Sequence, residues 1–181
     1  MNSSGFFPPF EGAPSQTESL KKFIAKYRPF IAVVIPGYNE AQKIGIVINN
    51  VKKYSDKIIV VDDGSRDQTA TVAATNGAHV VRHSRNQGKG RALRTGFKAA
   101  LEDETTRYIF TMDADNQHCP DDIPTLLAVL LQKKADIVVG KRVIFESQDQ
   151  FMPIHRLGSN FVTSTYLRIF IGFKIKDVQC G

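Results

Sequence analysis

Residues 31–40 read IAVVIPGYNE and decide the fold. The first six are apolar and rich in β-branched side chains, and because the run is too short for a helix it predicts a buried strand. A polar turn and a helical pattern follow it, and this order recurs along the chain. Strands are also predicted at KIIVVD (57–62), AHVVRH (78–83), RYIFTM (107–112) and DIVVG (136–140). The alternation predicts an α/β fold with a mostly parallel sheet.

Helical spacing of apolar residues predicts helices in the segments between these strands. The first such segment includes Ile44–Val51, and Asn39 with Gln42 forms a candidate capping box ahead of it. A second helix begins near residue 67 and ends at the stop signal Asn76-Gly77. Further helices are predicted at about 17–27, 90–102, 121–134 and 153–173.

The composition is that of a folded globular protein. The chain has 181 residues, of which 42% are hydrophobic and 23% charged. These fractions exclude a fully disordered chain and a collagen-like fibre. The net charge of +6 suits a phosphate-bearing ligand, a nucleic acid or an anionic membrane surface, and does not choose among them. Residues 1–16, with several Pro and Gly, predict a flexible leader.

The sequence predicts a cytoplasmic protein. No apolar run approaches the 18 residues of a membrane span, and the N-terminus lacks the pattern of a signal peptide. Cys119 and Cys180 have no metal-ligand spacing, and reduced thiols are expected. Peripheral attachment to the cytoplasmic face of a membrane remains open.

Polar or glycine-rich residues follow every predicted strand, at the sheet edge where open α/β folds bind ligands. Asp113 and Asp115 come after the fourth strand, two residues apart, so both can face the same side. Two such carboxylates repel each other unless a cation lies between them, and their oxygens suit Mg²⁺ or Mn²⁺. An Asx-turn with a helix cap is the competing interpretation of this pair.

Two other strand ends carry phosphate-binding or turn residues. Gly88-Lys89-Gly90 opens a helix, where backbone N–H groups and a lysine can hold an anion. The run 62–65 reads DDGS and is either a turn or a site for a base or ribose. His83 stands where a Walker A loop needs glycine, and the first strand is not followed by G-x-G-x-x-G. A dinucleotide oxidoreductase is therefore disfavoured.

Five motifs in this order carry a family resemblance: VVIPGYNE, IIVVDDGSRDQT, NQGKGRAL, TMDADNQH and DIVVGKR. The chain resembles family 2 of the GT-A glycosyltransferases, and within it dolichol-phosphate mannose synthases and bacterial polyprenyl-phosphate glycosyltransferases. The resemblance runs from about residue 31 to the last residue. It implies a Rossmann-like, three-layer GT-A sandwich, formed as a single domain over 17–181 that lacks the family's C-terminal end.

The resemblance also implies roles for individual residues. Asp115, Arg142 and Asp177 are implied to be catalytic, with Arg142 on the donor phosphates. Asp113, Asp115 and Gln117 match metal-binding positions, so Mg²⁺ or Mn²⁺ is the expected cofactor. Arg156 is a candidate for holding the acceptor phosphate. The nucleotide of the donor is expected to contact Pro36, Tyr38, Glu40, Val61, Asp63, Lys89, Asp113 and Ala114.

The implied function is inverting transfer of a sugar from GDP-mannose or a UDP-sugar to an acceptor. A polyprenyl or dolichyl phosphate at a membrane surface is the acceptor that the resemblance favours, and no nucleic-acid partner is expected. Three alternatives remain open: a truncated, non-catalytic nucleotide-sugar binding paralogue, a transferase acting on a sugar hydroxyl in polysaccharide or cell-wall synthesis, and a nucleotidyltransferase. The oligomeric state is not predicted.

Overall fold

A computed structural model describes residues 17–140 of the chain. Its centre is one four-stranded sheet whose strands are all parallel and stand in the order β3-β2-β1-β4. The bounds of β2 coincide with the predicted ones, and the other three differ from theirs by a residue. The strands are β1 (Ile31–Gly37), β2 (Lys57–Asp62), β3 (His79–Arg82) and β4 (Tyr108–Thr111).

Five α-helices surround the sheet within the described residues, together with two short 3-10 turns at Arg28–Phe30 and Pro120–Asp122. The second predicted helix ends as expected, because Gly77 has a φ of 75° that glycine adopts without strain. The helices are α1 (Thr17–Tyr27), α2 (Ile44–Val51), α3 (Thr69–Thr75), α4 (Lys89–Leu101) and α5 (Ile123–Lys133).

The helices form a layer on each face of the sheet. Alternate side chains of β1 point to opposite faces. Ile31, Val33 and Ile35 join one apolar core with α2, α3 and α5, against which α1 also packs. Ala32 and Val34 join a second core, which is covered by α4. The predicted three-layer α/β architecture is thereby confirmed.

Close packing of α4 on the sheet depends on Gly96. A Cβ atom added at this position would lie 2.2 Å from Cγ1 of Val34 and 3.2 Å from Cγ2 of Val61. Both valines are fully buried. Only glycine lets the helix backbone lie this close to the strands, and this distance sets the position of the α4 N-terminus at the sheet edge.

Two expectations about local structure are wrong. Residues 136–140 do not form a fifth strand, and the side chains of Ile137 and Val139 are 80% and 66% exposed. An apolar run becomes a strand only where a sheet edge pairs with it, and the described residues provide no such ladder for this run. The capping box is also absent: α2 follows Lys43, and Asn39 adopts a φ of 57° in the preceding turn.

The leader at 1–16 and the predicted helix at 153–173 lie outside the described residues. Within residues 17–140, no helix has both the length and the apolar character needed to cross a bilayer.

Candidate functional site

A cavity of about 250 Å³ opens at the carboxyl ends of β1 and β4. Strand β1 lies between β2 and β4, so the chain builds the sheet outward in one direction through β3 and then returns to the other side of β1. Loops on either side of such a reversal diverge and leave a crevice, which is where open α/β sheets bind ligands.

Eight of the predicted site residues line this cavity. They lie at or shortly after the carboxyl ends of four strands, which the parallel sheet brings to one edge. Gly37, Asn86, Gly88 and Ala92 complete the lining among the described residues. The eight are Pro36, Tyr38, Glu40, Asp63, Lys89, Asp113, Ala114 and Asp115.

The remaining predicted residues lie elsewhere. Val61 does not line the cavity: it is fully buried in the core beneath α4, because strand alternation turns it to that face. Gln117 is exposed in the turn after β4 and is not part of the lining. Arg142, Arg156 and Asp177 lie outside the described residues.

The loops after β1 and β2 are joined to each other by hydrogen bonds between backbone and side chains. Each bond uses a backbone N–H that has no partner within a helix. The two loops therefore satisfy each other's hydrogen-bond donors and hold the cavity wall in place. Sequence reasoning missed the residues of the second loop that do this. The bonds run from Asn39 N to Ser65 Oγ (2.9 Å), Glu40 N to Thr69 Oγ1 (2.8 Å), Ala41 N to Asp67 Oδ2 (3.1 Å) and Arg66 N to Asn39 Oδ1 (2.9 Å).

Asp63 organises the loop after β3. Its buried carboxylate accepts hydrogen bonds from the backbone N–H groups of Gln87 and Gly88, at 2.9 and 2.8 Å. His83 Nδ1 lies 2.6 Å from Asp63 Oδ1, and Nε2 of the same ring lies 2.9 Å from Oγ1 of Thr95 on α4. The chain Asp63–His83–Thr95 therefore ties β2 and the β3 loop to the helix that begins at Lys89.

Gly64 permits the contact between these loops. Its φ is 76°, and an added Cβ would lie 2.5 Å from the carbonyl carbon of Arg85. Backbone cannot move aside as a flexible side chain can, so both the conformation and the contact require glycine. The glycine of the DDGS motif is therefore a packing requirement of the site.

Ionised Asp63 and Asp67 stabilise the fold. Burial alone would raise the pKa of Asp63, but hydrogen bonds from His83, Gln87 and Gly88 outweigh it, and the pKa lies below its ordinary value of 3.8. Burial would likewise raise the pKa of Asp67, but hydrogen bonds from Thr69 and Ala41 outweigh it, so this pKa also lies below its ordinary value. A carboxylate with a lowered pKa adds stability above its unfolded-state pKa and loses it as the pH falls through the folded-state value.

We therefore expect the free energy of unfolding to fall as the pH drops below about 4, the ordinary carboxyl range. At pH 7, Asp63→Asn should cost about 1–3 kcal/mol, because one buried oxygen loses its N–H partners. Urea unfolding between pH 3 and 7 measures both effects. Asp136→Asn, which removes a charge from an exposed residue, is the control. A pH profile of Asp63→Asn parallel to that of the wild type would contradict this role of Asp63.

Asp113 and Asp115 differ in their surroundings. Asp113 Oδ1 lies 2.7 Å from Nζ of Lys89, and its backbone N–H donates to Nδ1 of His118 at 3.2 Å. Asp115 Oδ1 accepts the N–H of Gln117 at 2.9 Å, so the Asx-turn considered as the competing interpretation does form. This turn orients the Asp115 carboxylate at the cavity rim, and the two interpretations are compatible.

The donor set fits a divalent cation whose remaining coordination positions are filled by a bound ligand. In the described part of the chain, no group of three or more His, Cys, Asp or Glu side chains could enclose an ion. Asp113 and Asp115 supply hard carboxylate oxygens from one turn. Mg²⁺ is commonly held by one or two carboxylates while water and substrate phosphates fill its other positions. Mg²⁺ or Mn²⁺ bound together with a phosphate ligand is consistent with these residues.

Known proteins resemble this chain in sequence and in fold. It is 31% identical over 169 residues to UDP-N-acetylglucosamine–dolichyl-phosphate N-acetylglucosaminyltransferase of Methanococcus voltae, covering 83% of this chain and 67% of that protein. It is 30% identical over 157 residues to polyprenol monophosphomannose synthase of Mycolicibacterium smegmatis, covering 82% of this chain and 58% of that protein. The chain thus spans roughly three-fifths to two-thirds of the length of these two relatives.

The fold is of the GT-A type. It matches glucosyl-3-phosphoglycerate synthase from Mycobacterium tuberculosis, solved with Mn²⁺, UDP and glucosyl-3-phosphoglycerate, with a TM-score of 0.51 and 31% identity. That match covers 65% of this chain and 45% of the other. Residues 32–181 match the family model described as Glycosyl transferase family 2. With four of its five motifs at one sheet edge and most of its length within the family model, the chain belongs to glycosyl transferase family 2.

Proposed function

We propose that this chain binds a nucleotide-sugar, GDP-mannose or a UDP-sugar, and transfers the sugar with inversion to a polyprenyl or dolichyl phosphate. The observation that carries the proposal is the convergence of Lys89, Asp113 and Asp115 on one cavity with Pro36 and Tyr38. Carboxylates for a cation and a lysine at a helix N-terminus are the groups that a diphosphate needs. The half-exposed ring of Tyr38 provides an apolar surface for the nucleoside beside them.

The chemistry follows from where these groups lie. Asp113 and Asp115 would hold the cation, which supplies Lewis-acid neutralisation of the departing nucleoside diphosphate. Lys89 adds a positive charge, and the N-terminus of α4, with its positive dipole end, would favour an anion at this end of the helix. Asp63 contributes indirectly, because it holds the backbone of Gln87 and Gly88 in place. Arg142 and Asp177 are proposed to complete the donor and catalytic groups.

A phosphate acceptor removes the need for a strong general base. The phosphate oxygen of a polyprenyl phosphate is already ionised at neutral pH, so it can attack the anomeric carbon directly, opposite the leaving diphosphate. Arg156 is proposed to hold that acceptor phosphate. The names of the two polyprenyl-linked relatives support a lipid phosphate, and the net charge of +6 suits an anionic substrate or surface.

Calorimetric titration of UDP-glucose, UDP-N-acetylglucosamine and GDP-mannose, with Mn²⁺ and with EDTA, tests donor binding. We expect one nucleotide class to bind in Mn²⁺ and to bind about tenfold or more weakly in EDTA, a difference of about 1.4 kcal/mol. If a demonstrably folded chain bound none of the donors, the proposed function would be wrong for this chain.

A transfer assay with the donor that binds then separates the acceptors. Polyprenyl phosphate is expected to accept the sugar, whereas the matched polyprenol without phosphate is not. NMR of the product should show an inverted anomeric centre. Transfer to 3-phosphoglycerate instead would show that the acceptor is a small phosphorylated molecule and not a lipid phosphate. Donor binding without any transfer would favour a non-catalytic nucleotide-sugar binding protein.

A further inference from the structure

The ammonium group of Lys89 pairs with one oxygen of the carboxylate that a metal ion would need. Lys89 Nζ lies 2.7 Å from Asp113 Oδ1, and both side chains line the cavity. An ammonium on Oδ1 repels a divalent cation that binds the same carboxylate, because the two positive charges then lie only a few ångström apart and compete for one negative charge. The ion pair between Lys89 and Asp113 therefore opposes metal binding by Asp113.

We propose that Lys89 is a placeholder for the divalent cation, and that the arriving nucleotide diphosphate draws it away from Asp113. This inference rests on the proposed function, because it assumes that a nucleotide diphosphate is the ligand. In the nucleotide-free chain, Lys89 neutralises Asp113 and opposes metal binding. When the diphosphate binds, Lys89 pairs with a phosphate oxygen and Asp113 becomes free for the cation. Metal and nucleotide then bind cooperatively.

The structure allows the side chain of Lys89 to move while its backbone stays fixed. Gly88, the residue before it, donates its N–H to Asp63 Oδ2 at 2.8 Å, which holds the start of α4. The positions where Gly88 and Gly90 would carry a Cβ are open, with no atom within 4 Å. The Lys89 side chain is about half exposed, at 50%, so it is not enclosed by its neighbours. Among the described residues that line the cavity, Lys89 is the only basic one.

The placeholder predicts a change in the affinity for metal alone that a simple ligand-binding lysine would not produce. If Lys89 only contacted the donor, removing it would weaken nucleotide binding and leave the affinity for metal alone unaltered. If it occupies Asp113, removing it also raises the affinity for metal alone. By linkage, nucleotide and metal enhance each other's binding by the same factor, and this factor should shrink without Lys89.

Mn²⁺ binding to the full 181-residue chain, followed by electron paramagnetic resonance, tests this with and without saturating UDP or GDP. Lys89→Met is expected to bind Mn²⁺ alone about three- to tenfold more tightly than the wild type. This gain in affinity has two sources: Asp113 is released from a half-exposed ion pair, and one positive charge that repels the metal is removed. Lys98→Met removes the same charge from an exposed position in the last turn of α4 and should match the wild type. The factor by which nucleotide tightens Mn²⁺ binding should be smaller in Lys89→Met than in the wild type or in Lys98→Met.

A double-mutant cycle assigns the effect to the ion pair. In the Asp113→Asn background, Lys89→Met should no longer raise the affinity for Mn²⁺, because there is no carboxylate left to release. If Lys89→Met bound Mn²⁺ no more tightly than the wild type and Lys98→Met, the placeholder would be refuted. Measurements with Mn²⁺ alone decide this even if neither UDP nor GDP binds, whereas a lack of nucleotide binding by the wild type counts against the proposed function.

Discussion

Asp115→Asn is expected to lower sugar transfer by about 10²–10³-fold, the usual cost of removing one group that stabilises charge in a transition state. The substitution preserves shape, and the amide oxygen of asparagine can still accept the N–H of Gln117 that the aspartate accepts at 2.9 Å. What is lost is the negative charge that would hold the cation beside the diphosphate. Both kcat/KM for transfer and the affinity for Mn²⁺ in the presence of nucleotide should fall.

The matched control is Asp136→Asn, which makes the same change at an exposed residue away from the cavity. It should leave transfer and Mn²⁺ binding at the wild-type level. Circular dichroism establishes that both variants are folded. If Asp115→Asn retained transfer within threefold of the control, the proposed role of Asp115 at the metal would be wrong, and the Asx-turn would be its main contribution.

Gly96→Ala is expected to reduce the free energy of unfolding by about 3 kcal/mol, at the upper end of the range for overpacked cores. The added methyl group would lie 2.2 Å from a valine carbon in the sheet, so α4 must lift away or Val34 must leave its position. Both Val34 and Val61 are fully buried, and neither has space to rotate into. Urea denaturation followed by circular dichroism measures the loss.

Gly90→Ala provides a control in the same helix. No atom lies within 4 Å of its Cβ position, and its φ is not in the left-handed region. Alanine is the better helix former, so the substitution should be neutral or should stabilise the chain by about 0.4–1 kcal/mol. Equal stabilities for Gly96→Ala and Gly90→Ala would show that α4 does not depend on its close approach to the sheet.

The centre of the sheet could be predicted from sequence because β1 and β2 are buried on both faces and therefore read as continuous apolar runs. For β2 the run and the strand coincide. The run at 136–140 has the same composition and is not a strand, because pairing depends on a neighbouring edge and not on the run itself. Asn39 was predicted to cap α2 and instead bonds to Arg66, which lies far from it in sequence.

The site could be predicted in part for a related reason. Parallel strands place their carboxyl ends together, so residues that follow strands were expected to meet, and eight of them do. The sequence contains no comparable signal for the residues that support them. His83, Ser65 and Thr69 act through hydrogen bonds between loops, and only the fold shows which loops are neighbours. His83 and Ser65 stand shortly after strands, which was the available clue for these two, whereas Thr69 begins α3.

The order in which the strands are synthesised has a consequence for folding in the cell. Strand β1 lies in the interior of the sheet, yet its partner β4 emerges from the ribosome after β2, β3 and α4. Until then, the backbone groups of Ile31–Val34 that will pair with β4 face an open edge, a template on which another nascent chain could pair. The two aspartates that follow β4 arrive with the strand that closes this edge. A translational pause that delays the emergence of β4 would therefore leave the buried strand β1 open to pairing with another chain for longer.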